Sequence, residues 1–203
     1  MHLLRIVLLV VASHETSNAT CPLQFTAVTT DVCATRVGQS QSFCGAATQC
    51  AQLGKNINAT VFLIGRNAPK LAVKGLSHWT GVNQLLVYRN DMKTGWYDTN
   101  PNTPQYTTGS DFQWQGTQPE GYEAVTYYAQ SIGKFGDFPI ATGYDPLPVF
   151  CEYGGPLATV SKSIKFRSDF PVLLANFVQQ NPLFYGCFSE ILPSVTPIQC
   201  AFA

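Results

Sequence analysis

Charge is scarce in this sequence. Its 203 residues carry 12 basic and 12 acidic groups, so the formal net charge is zero. Charged residues make up 12% of the chain, about half of the share that is usual in globular proteins. No basic stripe or acidic tail is present, so the chain lacks the charge that attracts nucleic acid or an anionic membrane surface. We therefore expect no nucleic-acid partner.

Long apolar runs are also missing. The run at residues 6–12 follows His2 and Arg5, and it is far shorter than the roughly 20 apolar residues that span a bilayer. Small residues follow at 17–19, a pattern typical of a secretory signal peptide. We predict a signal peptide over residues 1–19, cleaved after Ala19, and a secreted, extracellular mature chain without a membrane span. A signal anchor is the competing interpretation.

Cysteine, glycine and proline are plentiful, with 7, 16 and 13 residues respectively. This composition favours a loop-rich extracellular domain held together by disulfides. The odd number of cysteines leaves one unpaired or bonded to another chain, so an oligomer is one possible outcome. Of the two glycosylation sequons, Asn18 leaves with the signal peptide, which makes Asn58 the predicted glycan site.

The first third of the chain predicts a hairpin and two helices. "CPLQFTAVTTDVC" alternates apolar and polar residues, and predicts a small hairpin closed by a Cys21–Cys33 disulfide. "SFCGAATQCAQLG" has apolar residues at three- and four-residue steps, which predicts a helix from its cap Ser42 to a stop at Gly54. "RNAPKLAV" predicts a second short helix capped by Asn67.

Four further segments predict strands: "NATVFLIG", "HWTGVNQLLVYR", "EAVTYYAQ" and "LPVFCEY". Residues 94–114 form a long stretch without periodicity, and loops of this length are often functional. We predict that residues 154–203 form a C-terminal extension with one amphipathic helix in "SDFPVLLANFVQQN" and with Cys187 and Cys200.

In this order, the motifs resemble the C-type lectin-like domain family over residues 20–153. "CPLQF" resembles the opening hairpin of the family, "FCGAATQCAQLG" its helix, "HWTGV" its Trp-Ile-Gly-Leu strand, and "GWYD" and "FQW" the motifs that lead into its binding loop. "QPE" occupies the position where the family has Glu-Pro-Asn or Gln-Pro-Asp. "FGDFPI" corresponds to the family's Trp-Asn-Asp-x-Pro-Cys, and "PVFCEY" to its Pro-Phe-Ile-Cys-Glu. The resemblance implies an α+β fold with two helices, small antiparallel sheets and a long irregular binding loop.

The resemblance also implies a Cys50–Cys151 disulfide between the helix and the last strand. The second core disulfide of the family is missing at both ends, where Ala124 or Val125 and Ile140 stand, and we expect apolar packing in its place. Cys44, Cys187 and Cys200 then remain, and two of them can form one further disulfide. The simplest pairing is Cys187–Cys200, which leaves Cys44 unpaired.

A calcium site is the main functional implication of the resemblance. Calcium takes six to eight oxygen ligands, and the family positions two of them on either side of a proline that follows a cis peptide bond. The matching residues here are Gln118, Glu120, Glu123 and Asp137. Gly136 replaces the asparagine of the family and supplies no side-chain oxygen, so we expect a weakened site. The alternative is a solvated polar loop that has lost its metal.

If calcium is bound, the resemblance makes the chain a secreted calcium-dependent carbohydrate-binding lectin for a carbohydrate or glycoprotein ligand. Gln118 and Glu120 would contact the sugar, with the residue order that leans towards galactose. Tyr122 would cover the apolar face of that sugar, although an ordinary exposed tyrosine is the simpler interpretation. The alternative function is a calcium-independent module that binds a protein or a surface ligand. We expect no enzymatic activity from either.

Overall fold

A computed structural model describes residues 21–85, 92–102, 112–143, 145–157 and 186–187. The predicted signal peptide, the predicted helix of the extension and Cys200 lie outside these residues. Over the part of the chain that the structure covers, there is no helix long and apolar enough to cross a membrane.

The described residues contain one α-helix and eight strands, and the strands form two antiparallel sheets. In chain order the elements are β1 (Thr26–Ala27), β2 (Cys33–Ser40), α1 (Phe43–Ile57), β3 (Ala59–Leu63), β4 (His78–Asn83), β5 (Tyr97–Asp98), β6 (Val125–Ala129), β7 (Lys134–Phe138) and β8 (Leu147–Pro156). The first sheet has the order β1-β2-β8-β3, and the second has the order β5-β4-β6-β7. The predicted first hairpin is present, since Ala27 pairs with Cys33.

Helix α1 begins as the sequence predicts and ends later. The Ser42 side chain accepts a hydrogen bond from the Gly45 backbone N–H at 3.0 Å, as an N-cap does. The predicted stop at Gly54 is wrong, because the helix continues to Ile57 and closes at Asn58 in the left-handed conformation with φ 53°. Gly54 is needed for packing instead: a Cβ there would lie 2.7 Å from the Ala59 carbonyl oxygen at the start of β3.

The predicted second helix is only a 3-10 turn over Ala68–Lys70. The side chain of Asn67, expected to cap it, makes no capping hydrogen bond. It donates instead to Oε1 of Glu152 on β8, at 2.8 Å. The capping interaction that would favour a longer helix is therefore replaced by a bond to the first sheet.

Two apolar clusters form the core. In the first, Val125 is fully buried and Ile140 packs against the same cluster, so apolar contacts occupy the region of the missing second disulfide. The second cluster contains Trp96, and Trp114 packs against it. Trp79 and Trp96 are 0% and 1% exposed, so both tryptophans are core residues.

Three disulfides join the described residues. Cys21–Cys33 closes the first hairpin, and Cys50–Cys151 joins α1 to β8, as the resemblance implies. The third bond pairs Cys44 with Cys187, so the simplest expectation, Cys187–Cys200, is wrong. Nearness in sequence favoured that pair, but the fold brings residue 187 beside the first turn of α1, where Cys44 lies.

Candidate functional site

The predicted ligand residues lie on a loop before β6 and on strand β7. The loop is attached to this strand, because Gln115 donates its backbone N–H to the Phe135 carbonyl oxygen at 2.7 Å. The Gln118–Pro119 peptide bond is cis, as the resemblance implies. Asp137 stands on β7, a strand that the sequence reasoning did not predict, opposite Thr126 of β6. The β6–β7 pairing thus places Asp137 beside the loop.

Two hydrogen bonds connect Asp137 to the residues on either side of Pro119. Asp137 donates its backbone N–H to Oε1 of Gln118 at 3.1 Å. Its own side chain accepts the backbone N–H of Glu120 on Oδ2 at 2.8 Å. The structure therefore brings three of the four predicted ligands into direct contact, although they are separated by up to 19 positions in the chain.

Tyr122 and Glu120 form the exposed rim of the site. The Tyr122 hydroxyl donates to Oε2 of Glu120 at 2.6 Å, and this bond to the carboxylate raises the pKa of Tyr122. The Tyr122 side chain is 59% exposed, so its ring is available to a ligand. The rim is thus an aromatic face joined to a carboxylate.

Negative charge accumulates here. Burial, and then the charges of Asp137 and Glu120, raise the pKa of Glu123 to about 7. Asp137 is only 2% exposed, and burial raises its pKa as well. No salt bridge within the described residues involves any of these carboxylates. A bound cation would relieve their mutual repulsion.

One atom of the site lacks a partner. Oδ1 of Asp137 is buried and accepts no hydrogen bond from the part of the chain that the structure describes, although buried carboxylate oxygens are normally satisfied. A bound cation would satisfy it. The donor set of three carboxylates and one amide oxygen has the hard-oxygen chemistry that calcium takes, so the residues fit this ion by type.

The oxygens of the four predicted ligands do not converge on a common point in this structure. Among the described residues no group of three or more His, Cys, Asp or Glu side chains is placed to hold a metal ion. Glu120 is engaged with Tyr122, and the Gln118 oxygen with the Asp137 backbone. Ion binding would therefore require Glu120 and Gln118 to give up or share these bonds; Glu120 is exposed and Glu123 is half-buried.

The structure gives a steric reason for glycine at position 136, which the sequence alone did not reveal. A Cβ at this position would lie 2.5 Å from Cε1 of the Tyr127 ring. Tyr127 is held there by its hydroxyl, which donates to Oε1 of Gln115 at 2.9 Å. The tyrosine ring occupies the space that the family's asparagine side chain would use, which explains why the fifth oxygen is absent.

Met92 is a rim residue that sequence reasoning missed. Its side chain lies against Gly121, and it is 50% exposed. Its carbonyl oxygen accepts hydrogen bonds from Gln84 at 2.9 Å and from the Trp96 indole at 3.0 Å. These two bonds fix the backbone of Met92 near the loop. No motif in the sequence marks this residue, because it is separated from the loop by the long irregular stretch.

Asn58, the predicted glycan site, belongs to another part of the fold. It follows the last turn of α1, and its side chain is exposed. Its accessibility is compatible with a glycan, and the modification stays a prediction.

Three features define the fold class. A disulfide joins helix α1 to strand β8. A cis-proline loop lies against a hairpin of the second sheet, and the strand with the sequence His-Trp-Thr-Gly-Val lies inside that sheet, between β5 and β6. The fold is C-type lectin-like.

Comparison with solved structures finds several similar chains. The chain is similar to the C-type lectin CEL-I from Cucumaria echinata, with 16% identity, 66% of this chain and 96% of that chain covered, and a TM-score of 0.47. It is similar to a calcium-dependent type II antifreeze protein in its calcium-free form, with 13% identity, coverage of 65% and 98%, and a TM-score of 0.46.

A calcium-independent type II antifreeze protein is also similar, with 16% identity, coverage of 66% and 93%, and a TM-score of 0.45. At these identities the likeness concerns the C-type lectin-like fold alone. No protein-family model and no curated protein sequence matches the chain.

Proposed function

We propose that this chain is a secreted lectin that binds carbohydrate through calcium, with a preference for galactose-type sugars. The observation that supports it best is the buried, unpartnered Oδ1 of Asp137 within a group of carboxylates that repel one another. The residues that would hold the ion are Gln118, Glu120, Glu123 and Asp137. Bound calcium would supply open coordination positions for two neighbouring sugar hydroxyls.

The residues beside Pro119 have complementary roles towards the sugar. The Gln118 amide can donate two hydrogens, whereas the Glu120 carboxylate can only accept. This donor and acceptor pair, read along the cis-proline loop, favours a galactose-type arrangement of hydroxyls. The exposed Tyr122 ring would then cover the apolar face of the sugar.

A second candidate function is a calcium-independent module that binds a protein or surface ligand. Bonds between the loop and β7 favour it, because Asp137 already bonds to both Gln118 and Glu120 without an ion. The Tyr127 ring in place of a fifth oxygen points in the same direction.

Calcium titration of the purified full chain distinguishes the two functions. A ligand that binds only the folded state raises the melting temperature, so millimolar calcium should raise it for the unmodified chain. Glu120→Ala and Asp137→Ala should each abolish the rise, whereas Asp145→Asn, an exposed carboxylate outside the site, should keep it. If calcium has no effect on the unmodified chain, the calcium-dependent function is contradicted and the calcium-independent one is the candidate that stays.

A further inference from the structure

A cavity of about 350 Å³ lies between the turn that joins β1 to β2, strand β8 and the segment after β5. Its size is at the lower end of the range for small-molecule pockets. Four of the residues that line it matter here: Asp31, Phe62, Asn102 and Glu152. None of them belongs to the calcium site proposed above, so the cavity is a separate feature of the surface.

Glu152 is the buried acidic group of this cavity, with 6% of its surface exposed. Asn67 donates to its Oε1 at 2.8 Å. Burial is the main reason why the pKa of Glu152 rises to about 7. A buried carboxylate that is not paired with a counterion is unfavourable when it is ionised.

The neighbouring cations compensate Glu152 only in part. Arg66 pairs through Nε with Oδ2 of Asp98 at 3.0 Å, and its backbone N–H donates to the same oxygen at 2.9 Å. The charges of Lys70 and Arg66 lower the pKa of Glu152, but by less than burial raises it. Within the described ranges, the Glu152 carboxylate forms no salt bridge.

Asp31 and Asn102 add further hydrogen-bond acceptor oxygens to the lining of the cavity. Asp31 is exposed, and a hydrogen bond from Thr29 lowers its pKa, so it is ionised at neutral pH. The amide nitrogen of Asn102 already donates to the Gly154 carbonyl oxygen at 3.3 Å. The cavity thus offers two carboxylates, and Phe62, which pairs with Glu152 across β3 and β8, places its ring on the same face of the sheet as the Glu152 side chain.

We propose that this cavity binds the guanidinium group of an arginine side chain from a protein partner. A guanidinium has only donors, and its planar fork matches carboxylate oxygens in pairs. It also stacks on aromatic rings, which an ammonium group does less well. The incoming charge would compensate Glu152 at the bottom of the cavity and would pair with Asp31 at its rim.

The test uses the full chain and the tripeptide Gly-Arg-Gly, with Gly-citrulline-Gly as the uncharged control of nearly the same shape. By calorimetry at about pH 7.5 in a chelating buffer, the arginine peptide should bind with a dissociation constant of millimolar order, and the citrulline peptide at least about tenfold more weakly. Glu152→Gln and the surface variant Asp31→Asn should each weaken arginine binding several-fold. Asp145→Asn, which removes an exposed carboxylate elsewhere, should leave it unchanged.

Because Asp31 is exposed, its variant decides the question even if Glu152→Gln fails to fold. Equal binding of the two peptides would overturn the proposal, and so would Asp31→Asn and Glu152→Gln variants that bind like the unmodified chain. Displacement of the arginine peptide by calcium in Glu120→Ala would also overturn it, since the cavity would then be a metal site. None of these results depends on whether the chain binds a sugar.

Discussion

Asp137 donates its backbone N–H to the side-chain oxygen of Gln118, at 3.1 Å. The bond fixes the orientation of the Gln118 amide, with its oxygen towards β7 and its NH₂ group turned away from that strand. Since Asp137 also accepts the Glu120 N–H at 2.8 Å, one buried residue positions both neighbours of Pro119. A substitution at Asp137 removes the side-chain bond to Glu120 but keeps the backbone N–H that orients Gln118, so it should affect ion binding and the Glu120 side of the loop first.

The first prediction concerns the missing fifth oxygen. Gly136→Asn, which restores the residue of the family, should destabilise the chain and leave calcium affinity no higher. The reason is the Tyr127 ring, 2.5 Å from the position of the new Cβ, since overpacking of this kind costs about 1–3 kcal/mol. Chemical unfolding and calcium titration measure the two effects.

Tyr127→Ala provides the matched background for this change. If the ring is the obstacle, Gly136→Asn should lower the free energy of unfolding much less in the Tyr127→Ala background than in the unmodified chain. The double variant should also bind calcium more tightly than Tyr127→Ala alone. Equal costs in both backgrounds would show that Tyr127 is not the obstacle.

The second prediction concerns Glu152 and pH. The unfolded chain ionises this residue near the ordinary glutamate pKa of 4.5, whereas burial and the charge of Asp98 raise its folded pKa to about 7 against the opposing effects of Asn67, Lys70 and Arg66. Raising the pH from about 4.5 to 7 therefore lowers the free energy of unfolding. Glu152→Gln removes this loss, so its stability relative to the unmodified chain should be greater at about pH 8 than at about pH 5, by up to about 3 kcal/mol.

Guanidinium unfolding at the two pH values, followed by tryptophan fluorescence, measures the difference. Asp145→Asn serves as the control, and should show the pH dependence of the unmodified chain. A Glu152→Gln variant with that same dependence would contradict the raised pKa.

The third prediction concerns His78 and has the opposite sign. His78 is 0% exposed, and burial lowers its pKa from 6.5 to about 4, although its contact with the Leu76 carbonyl raises it slightly. Its ring packs against Tyr128 and Phe150. Between about pH 6.5 and 4, His78 is protonated in the unfolded chain but neutral in the folded chain. The free energy of unfolding therefore falls as the pH is lowered through this range.

His78→Phe keeps a ring at this position and removes the titration. Its stability relative to the unmodified chain should therefore be greater at about pH 4.5 than at about pH 7. Unfolding curves at both values provide the measurement, and an unchanged difference between them would show that His78 is not the group responsible.

Much of the fold followed from periodicity in the sequence. The three- and four-residue steps of Phe43, Ala46 and Cys50 predicted the buried face of α1, and apolar runs predicted β3, β4, β6 and β8. These elements depend on burial, which leaves a regular pattern in the chain. The fold class and the Cys50–Cys151 bond came from the order of motifs, and the structure contains both.

The missed features depend on contacts between distant residues. Strand β7 contains Gly136, which weakens a strand pattern, and its pairing with β6 overrides this local preference. Asn67 had the properties of a helix cap, yet Glu152 of β8 takes its side chain. The bond between Cys44 and Cys187 spans 143 positions, and no local pattern distinguishes it from the other pairings of the same cysteines.

The fourth prediction concerns the Cys50–Cys151 disulfide, which joins residues 101 positions apart. In the chain-entropy model, closing a loop of this length stabilises the folded state by about 4–5 kcal/mol. The double variant Cys50→Ala, Cys151→Ala should lose a large part of this free energy of unfolding. The pair Cys21→Ala, Cys33→Ala, which opens a loop of only 12 positions, should lose less, and the reverse order would contradict the chain-entropy account.

The last prediction concerns sugar choice. We expect the unmodified chain to bind galactose or N-acetylgalactosamine in preference to mannose, only with calcium, and with a single-site affinity of about millimolar order, or about 4 kcal/mol. Gln118→Glu combined with Glu120→Asn reverses the donor and acceptor order beside Pro119, so it should turn the preference towards mannose. Tyr122→Ala should weaken galactose binding alone, because it removes the ring that is 59% exposed at the rim, whereas Tyr122→Phe should retain it.

Calorimetry with the three sugars, with and without a chelator, measures these preferences. Asp145→Asn is the control for a general effect of charge, and should match the unmodified chain for every sugar. Calcium-dependent binding of mannose by the unmodified chain would contradict the role of Gln118, because a donor at that position favours the hydroxyl arrangement of galactose. Equal galactose affinities of Tyr122→Ala and Tyr122→Phe would show that the Tyr122 ring takes no part in binding.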